Sequence, residues 1–497
     1  MLESARHAEH SPPYPYERRR PEESVLYRVV SEVWPSFRER IEGLSSLPKF
    51  VVREVDEYLR CGLLEHGFVR VKCTDCGFER LVGFSCKRRG FCPSCLGRRM
   101  SDTAIWLTEH VIPREQIRQW VLTLPWGLRV RAGYDRQLCV LVVDTFIREL
   151  QRSYRWRAKR LFGLASVEEA FTGAVTVIQR FDSALRLNVH LHTLVLDGVY
   201  VKSDDGGLRF LRLPRPSADE VYDVAFRTAK KVVAMLEKKG RSADGASNDE
   251  AESEIEPALL SCYDIAGRAP KTRIVDGPRL GKGECAVVVD GFNVYAGDSI
   301  DGRDRRRIER MCRYLARPPI AMERLTEVDD GELRYELKKA WRDGTRFVRL
   351  DPYELMARIC AMVPPPRLHM VRFHGVLAPN SALREQVVAL ARPYVPPNVE
   401  RPTPLQLPLF GKLIEQPDAE VSHKRRKPWA WLLRHVFAID VNVCPACAGP
   451  MKWRQVALTA DAIREGLARA GLARGPPKRK RAPLGQLSLP FPKMRRA

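Results

Sequence analysis

The ten residues from Leu187 to Leu196 limit the fold more than any other stretch of the chain. Apolar residues at 187, 189 and 191 alternate with polar residues at 188, 190 and 192, which is the period of a half-buried β-strand. Because successive side chains of a strand point to opposite faces, Asn188, His190 and His192 share one face. Two imidazoles at this spacing lie roughly 7 Å apart at Cβ, close enough to bind one metal ion. The competing interpretation is a solvated strand face that carries two polar residues.

Neighbouring segments predict the elements around this strand. Residues Ala174–Phe181 predict a second strand, joined to the first by a short connection, so the two should form an antiparallel hairpin. Trp120–Pro125 predicts another strand, and residues 135–160 predict a long amphipathic helix. Ser217 and Glu220 form a capping-box pattern that opens a helix running to residue 240. These elements predict an α+β fold.

The charge of the chain points to its partner. The sequence has 84 Lys and Arg residues against 61 Asp and Glu residues, a net charge of +23. Such an excess favours a polyanion, nucleic acid ahead of a membrane surface. There is no run of 18 apolar residues, and residues 1–20 have no apolar signal core. The sequence therefore predicts a cytoplasmic protein that does not enter a membrane.

Two Cys-x-x-Cys pairs predict a zinc site. Fifteen residues separate Cys73 and Cys76 from Cys92 and Cys95, and this pattern is typical of a closed, structural Zn²⁺ site with four thiolate ligands. Cys86 lies between the pairs and could replace one ligand. Cys61 and His66 are more remote candidates.

Basic residues crowd around these cysteines. Five of them fall within thirteen residues: Lys87, Arg88, Arg89, Arg98 and Arg99. Basic residues are also common on a solvated surface. Five in thirteen residues beside a metal-binding knuckle is more than such a surface usually carries. We expect a small zinc-ribbon-like domain that presents a basic face to DNA.

A later helix displays a tyrosine among arginines. Residues 303–317 predict a helix stopped by Pro318 and Pro319. Its apolar residues fall in one stripe: Ile308, Met311, Cys312 and Leu315. Tyr314 lies outside that stripe, in the sector that holds Arg303, Arg307, Arg310 and Arg317. Most tyrosines serve as core or amphipathic filler, but this environment suits a phosphate.

Four segments together carry a resemblance to a known family: residues 85–95, 188–198, 313–321 and 372–380. Over about residues 45–450 the chain resembles the rolling-circle transposases of the insertion sequence ninety-one family, which belong to the HUH nucleases. The resemblance implies a nuclease core with an antiparallel sheet that carries the histidines, flanked by helices and preceded by the zinc domain. It also implies a bacterial, nucleoid-associated protein.

The chemistry that the resemblance implies is cleavage of single-stranded DNA at transposon ends and target. His190 and His192 would hold Mg²⁺ or Mn²⁺, which polarises the scissile phosphate. Tyr314 would attack it and form a 5′-phosphotyrosine link. Gln179, on the neighbouring strand, is the expected third ligand, and Asn188 is its competitor. Arg307, Arg310 and Arg317 would contact the DNA.

One position departs from the family pattern. Some members carry two tyrosines four residues apart, whereas the position four residues after Tyr314 is Pro318. This is the pattern of a single-tyrosine variant. The second cleavage would then need either a second use of Tyr314 or a second protomer in a homo-oligomer.

Two other functions fit parts of the sequence. A plasmid relaxase or replication initiator would share the nuclease chemistry but usually brings a helicase, and no Gly-x-x-x-x-Gly-Lys-[Ser/Thr] phosphate loop occurs. A zinc-containing DNA-binding protein without enzymatic activity is the alternative from a different class. It would tolerate replacement of His190 and Tyr314.

Changes in composition and pattern along the sequence divide the chain into predicted units. The predicted units are a disordered basic N-terminus (1–22), a helical lead with the zinc domain (23–105), the nuclease core (106–325, with a flexible insertion at 240–257), a mixed α/β extension (326–391), a Pro-rich linker (392–410), a C-terminal helical module (411–474) and a basic disordered tail (475–497). In the C-terminal module, Cys444 and Cys447 form half a zinc knuckle. With no second pair nearby, His435 or another protomer would have to complete it.

Two short segments outside these units suggest a partner. Gln406–Phe410 and Gln486–Phe491 each carry a glutamine followed by leucines and an aromatic residue. Both are similar to the peptides with which bacterial proteins dock on the replication sliding clamp. Alternatively, each is an apolar patch that folds back on the body of the protein.

Overall fold

We describe the protein from a computed structural model, over residues 19–43, 45–238, 255–269, 271–272, 286–328, 331–341, 343–389 and 440–472. The helices in these ranges are α1 Val25–Glu42, α2 Lys49–Tyr58, α3 Pro93–His110, α4 Trp126–Tyr134, α5 Arg136–Phe162, α6 Ala218–Glu237, α7 Pro257–Gly267, α8 Arg305–Leu315, α9 Pro352–Met362, α10 Arg384–Ala389 and α11 Ala460–Arg469. The strands are β1 Phe68–Cys73, β2 Glu79–Gly83, β3 Ile117–Thr123, β4 Gly173–Phe181, β5 Leu187–Leu196, β6 Gly198–Lys202, β7 Leu208–Arg212, β8 Lys271–Thr272, β9 Ala286–Val289, β10 Phe292–Ile300, β11 Leu325–Glu327, β12 Leu333–Glu336, β13 Phe347–Leu350, β14 Val371–Gly375 and β15 Met451–Ala457.

The central sheet has the order β14-β4-β5-β3-β10-β9, and every pair of neighbours is antiparallel. The predicted hairpin is confirmed, since β4 and β5 pair directly, with Gln179 opposite His190. The histidine strand β5 lies inside the sheet, between β4 and β3. The chain is therefore an α+β protein with antiparallel sheets, as the sequence predicted.

Two helical layers cover the two faces of this sheet. On one face, Val189, Leu191 and Val195 of β5 pack in a core with apolar residues of α5 and α6. On the other face, Leu194 and Leu196 pack with residues of α3 and with Ile308, Cys312 and Leu315 of α8. Because the histidines alternate with the first set of residues, they face α8. This places Tyr314, on α8, over the histidine face.

The helix predictions hold with small differences at the ends. The capping box of Ser217 and Glu220 is formed in both directions, and α6 ends at Glu237. Helix α8 is two residues shorter at each end than predicted. Pro35 lies inside α1 and does not end it. The buried stripe continues beyond it to Phe37 and Ile41, and this packing offsets the hydrogen bond that proline cannot donate.

A small sheet of order β15-β1-β2 joins an N-terminal hairpin to a strand from the C-terminal part of the chain. Strand β15 pairs antiparallel with β1, from Phe68 opposite Ala457 to Cys73 opposite Met451. The C-terminal segment was predicted to be a separate helical module. Its described part, 440–472, instead adds one strand and one helix to the N-terminal ribbon. The physical reason is that a two-stranded hairpin buries too little surface to be stable alone.

The predicted extension at 326–391 is divided between two sheets. Strands β11, β12 and β13 form a sheet with β8, whereas β14 joins the edge of the central sheet beside β4. Helix α9 follows β13, with Asp351 as its N-cap. Most of the predicted insertion, the linker, the basic tail, His435 and both clamp-like peptides lie outside the described residues. Among the residues described, no helix is long and apolar enough to cross a membrane.

Candidate active site and cysteine clusters

The register of three strands builds the histidine site. His190 on β5 lies opposite Gln179 on β4 and Thr123 on β3, and residues directly opposite each other point to the same face. The rings of His190 and His192 are 5.0 Å apart between centroids and nearly perpendicular, at 70°. The structure therefore brings the two histidines and Gln179 together on one face.

The hydrogen bond of His190 defines which ring nitrogen is free. Its Nδ1 lies 2.7 Å from the carbonyl oxygen of Asn188. Since a carbonyl only accepts, Nδ1 carries the proton, and the neutral ring presents a lone pair at Nε2. That Nε2 lies 3.2 Å from Oε1 of Gln179, so two acceptor atoms face each other. Burial lowers the pKa of His190 and favours this neutral form.

His192 is also held neutral. Burial, with smaller contributions from the neighbouring His190 and Arg317, lowers its pKa to about 3. Its Nδ1 lies 2.8 Å from Nε2 of Gln119 on β3. With the amide turned so that its oxygen faces the ring, Gln119 accepts from Nδ1–H. Nε2 of His192 is then free to act as a metal ligand.

The donor set fits a divalent cation. In addition to the two imidazoles and Oε1 of Gln179, Oδ1 of Asn188 is buried without a hydrogen-bond partner among the described residues. The imidazole nitrogens favour Mn²⁺ or a heavier ion by affinity, whereas the amide oxygens also suit Mg²⁺. Gln179 and Asn188 both remain candidates for the third ligand, as in the sequence.

Tyr314 lies beside the histidines, in the last turn of α8. Its ring centroid is 6.1 Å from that of His192, and the residue is 38% exposed, so a substrate can reach it. The guanidinium carbon of Arg317 and Nζ of Lys338 each lie 4.6 Å from the centre of the tyrosine ring. These charges provide a positive environment for a phosphate next to the phenol.

Gln179 connects the tyrosine helix to the histidine strand. Its Nε2 donates to the carbonyl oxygens of Leu315 at 2.7 Å and Tyr314 at 3.4 Å. The last carbonyls of a helix have no partner within the helix, so this amide satisfies two of them. The same side chain contacts His190 through its oxygen. It therefore holds the position of Tyr314 relative to the histidines.

Two of the three arginines predicted to contact DNA lie on α8, and the third follows the helix. Arg307 and Arg310 are exposed, and Arg317 is half-buried beside Tyr314. The sequence reasoning did not find Lys338 or Gln119. Neither lies in a motif, and only the packing of the extension and the register of β3 bring them to the site.

Among the cysteines that the structure describes, eight form two clusters rather than the predicted one. The inner cluster consists of Cys61, Cys86, Cys92 and Cys95, and the outer cluster consists of Cys73, Cys76, Cys444 and Cys447. Within each cluster all four sulfur atoms lie within 4.8 Å of one another. The predicted set of Cys73, Cys76, Cys92 and Cys95 is thus divided between two sites.

The strand geometry explains this correction. Cys73 ends β1, and Cys76 lies in the turn that leads to β2, at the tip of the hairpin. Cys92 and Cys95 lie at the start of α3, where Cys61 and Cys86 meet them. The spacing along the chain is correct for a single site, but the hairpin points its own pair of cysteines in another direction.

The inner cluster fits a structural zinc ion. Its Sγ–Sγ distances include 3.4 Å between Cys86 and Cys95 and 3.6 Å between Cys61 and Cys92. The hydrogen bond with Cys61 lowers the pKa of Cys95 and raises that of Cys92. One thiolate is therefore stabilised by its neighbours, while further ionisation brings like charges together. A bound Zn²⁺ allows all four sulfurs to be thiolates.

The predicted basic face of the ribbon is only partly free. Lys87 and Arg89 are exposed. Arg88 lies 3.5 Å from a carboxylate oxygen of Glu57, and Arg99 donates to the carbonyl oxygen of Lys87. Arg98 is half-buried in α3. Part of this charge therefore stabilises the ribbon itself.

Comparison with known families gives two matches. The family described as "Putative transposase" matches residues 173–384, which include Gln179, both histidines and Tyr314. The family described as "Transposase zinc-binding domain" matches residues 29–124, which include the whole inner cluster. Searches of curated proteins and of solved structures returned no match. The chain therefore belongs to the IS91-type transposases, DNA-processing enzymes in which a zinc-binding domain precedes the transposase domain.

Proposed function

We propose that this transposase has an HUH-nuclease core that cuts and joins single-stranded DNA through a covalent 5′-phosphotyrosine at Tyr314. The observation that carries the proposal is the position of Tyr314, 6.1 Å from His192 between ring centroids on a helix hydrogen-bonded to Gln179. A candidate nucleophile that is exposed, two neutral imidazoles and two cationic side chains thus meet at one place.

The proposed reaction is a transesterification. Oη of Tyr314 forms a bond to phosphorus as the bond from phosphorus to O3′ breaks; the phenolic proton passes to solvent, and O3′ takes up a proton. A divalent cation held by His190, His192 and Gln179 would polarise the phosphate. Arg317 and Lys338 stabilise the negative charge of the phosphate. Because the phosphodiester is exchanged and not hydrolysed, the reverse reaction joins the strand to a target without ATP.

The exposed part of the histidine face offers a path for the DNA strand. Tyr295 on β10 lies opposite Val121, which lies opposite His192, so all three side chains point to the same face. Tyr295 is 39% exposed, and Val288 on β9 is 63% exposed. With strands about 4.8 Å apart, Tyr295 lies roughly 10 Å from His192. We infer that unpaired bases rest on this surface, where an aromatic ring favours stacking.

The alternatives predict different results. A plasmid relaxase or replication initiator would cut DNA in the same way, but the match to two transposase families favours transposition. A DNA-binding protein without enzymatic activity would bind DNA and form no covalent adduct. Detection of the adduct therefore separates the enzyme from the binding protein.

The test uses a 3′-labelled single-stranded oligonucleotide that carries the element's end, incubated with Mn²⁺. The parent protein should give a labelled adduct that survives denaturing electrophoresis. Tyr314→Phe should abolish the adduct while DNA affinity stays near that of the parent, because only the hydroxyl is lost. Tyr222→Phe, an exposed tyrosine on α6 (49%), is the matched control. An undiminished adduct with Tyr314→Phe would assign the nucleophile to another tyrosine, such as Tyr295.

On sequence alone, we also propose docking to the replication sliding clamp through 406–410 and 486–491. A clamp tether would bring the enzyme to replication forks, where single strands are exposed. The test is a binding titration of purified clamp against a variant in which Leu407, Phe410, Leu489 and Phe491 are all alanine. Equal affinity of variant and parent would refute this docking.

A further inference from the structure

The outer cluster lies partly outside both matched families, since Cys444 and Cys447 follow residue 384. We propose that it is a second zinc site, a clasp that fastens the C-terminal segment 440–472 to the N-terminal ribbon. The ligands would be the four thiolates, two from the β1–β2 turn and two from a turn near the other end of the chain.

The sulfur positions match a tetrahedral site. Sγ of Cys73 lies 3.5 Å from that of Cys447, and Sγ of Cys76 lies 3.6 Å from that of Cys444. A tetrahedron with Zn–S bonds of about 2.3 Å has sulfur–sulfur edges of about 3.8 Å. A disulfide would need about 2.0 Å instead. Each close pair joins one cysteine of the first turn to one of the second, as in zinc sites where two Cys-x-x-Cys knuckles bind one ion.

The backbone of both turns is shaped for this contact. Residues 443 and 450 form a bridge that closes the second turn, and the amide of Thr74 donates to the carbonyl of Pro450 at 3.1 Å. A Cβ at Gly449 would come within 2.3 Å of a carboxylate oxygen of Asp75, so a larger residue there would have to displace the Asp75 side chain. The amide of Asp75 also donates to Sγ of Cys73 at 3.4 Å, which favours a thiolate there.

The clasp closes a very long stretch of chain. The paired cysteines are 368 and 374 residues apart in sequence. Apart from the cysteines, the segment is held by the β1–β15 ladder and by a small core of Leu64, Phe68, Leu81 and Ala457 with residues of α11. Loss of the ion should therefore loosen β15 and α11, while the central sheet, which makes no use of this cluster, keeps its structure.

Exposure separates the two clusters. Cys61, Cys92 and Cys95 of the inner cluster are buried, whereas Cys76 and Cys447 of the outer cluster are exposed. Chelators and thiol reagents reach exposed thiolates first. The outer cluster should therefore release its zinc before the inner cluster.

The first test is metal content, measured for the full-length protein purified with a reductant. The parent should hold two zinc ions per chain, and the double variant Cys444→Ser/Cys447→Ser should hold one. Cys139→Ser, a buried cysteine of α5 outside both clusters, should keep two. One zinc in the parent, unchanged in the double variant, would overturn the proposal. So would a Cys73–Cys447 disulfide found by alkylation and mass spectrometry.

The second test separates a lost clasp from a failed fold. In the double variant, amide hydrogen exchange should rise at residues 68–73 and 451–457 and stay at parent rates at 187–196. With a chromogenic chelator, the parent should release one zinc rapidly and the other slowly. Unchanged exchange at 451–457, a general rise that includes 187–196, or release of both ions in one phase would each contradict the clasp.

Discussion

The histidine–tyrosine site and the cysteine clusters both bring distant residues together, but different forces hold them. The histidines sit on strands whose two faces are packed against helices, in cores that extend along the whole sheet. The ribbon at the outer cluster has two small cores among the residues described, and under our proposal it depends also on bonds between the thiolates and zinc. Changes at the first site should therefore alter chemistry and leave stability near that of the parent. Changes at the second should alter stability first.

The largest effect is expected at the metal site of the transposase domain. His190→Ala or His192→Ala should lower Mn²⁺-dependent nicking by more than about 100-fold, because each removes a proposed ligand of the catalytic metal. Zinc content and melting temperature should stay at parent values, since the zinc ions occupy the ribbon. Nicking is measured on a labelled single strand, and zinc by elemental analysis. His369→Ala, an exposed histidine outside the site, is the control.

A loss of zinc from a histidine variant would contradict the assignment of different metals to the two regions. If either histidine variant loses one equivalent of zinc, the catalytic metal and a structural metal have been confused. The two sites would then have to be reassigned.

A smaller effect on chemistry and a larger one on stability is expected at the inner cluster. Cys92→Ser should remove one zinc, lower the melting temperature and weaken DNA binding together, because metal binding contributes folding free energy to a small domain. The rate of adduct formation at saturating DNA should change much less than the affinity. Cys360→Ser, a buried cysteine of α9 outside both clusters, is the matched control. Full zinc occupancy and parent melting in Cys92→Ser would show that Cys92 is not a ligand.

The difference between the regions also decides what sequence can predict. The hairpin of β4 and β5 and the apolar stripe of α8 follow from periodicity, because each depends on residues a few positions apart. The position of Gln179 beside His190 follows from the same register. The hairpin and the helix stripe were predicted correctly because short-range geometry determines them, whereas Gln179 was chosen from the resemblance to the nuclease family, and its role as a ligand stays a prediction.

The cysteine partners could not be predicted in this way. Two Cys-x-x-Cys pairs fifteen residues apart are compatible with one site or with halves of two. The choice depends on the direction of the β1–β2 turn and on a strand from the other end of the chain. No pattern within a few residues of Cys444 indicates that it lies beside Cys76. Likewise, the contact of Lys338 with Tyr314 results from the packing of a separate sheet.

The smallest effect is expected on the exposed half of the histidine face. Tyr295→Ala should weaken binding of a single strand by about 1–3 kcal/mol, the range for loss of one base-stacking contact. The melting temperature should stay unchanged, since the side chain is 39% exposed and does not belong to a core. Binding is measured by fluorescence anisotropy, with Tyr222→Ala, on the opposite side of the sheet, as control. A parent-like affinity for Tyr295→Ala would mean that the strand approaches Tyr314 from the side of Lys338, and that the open sheet face serves another purpose.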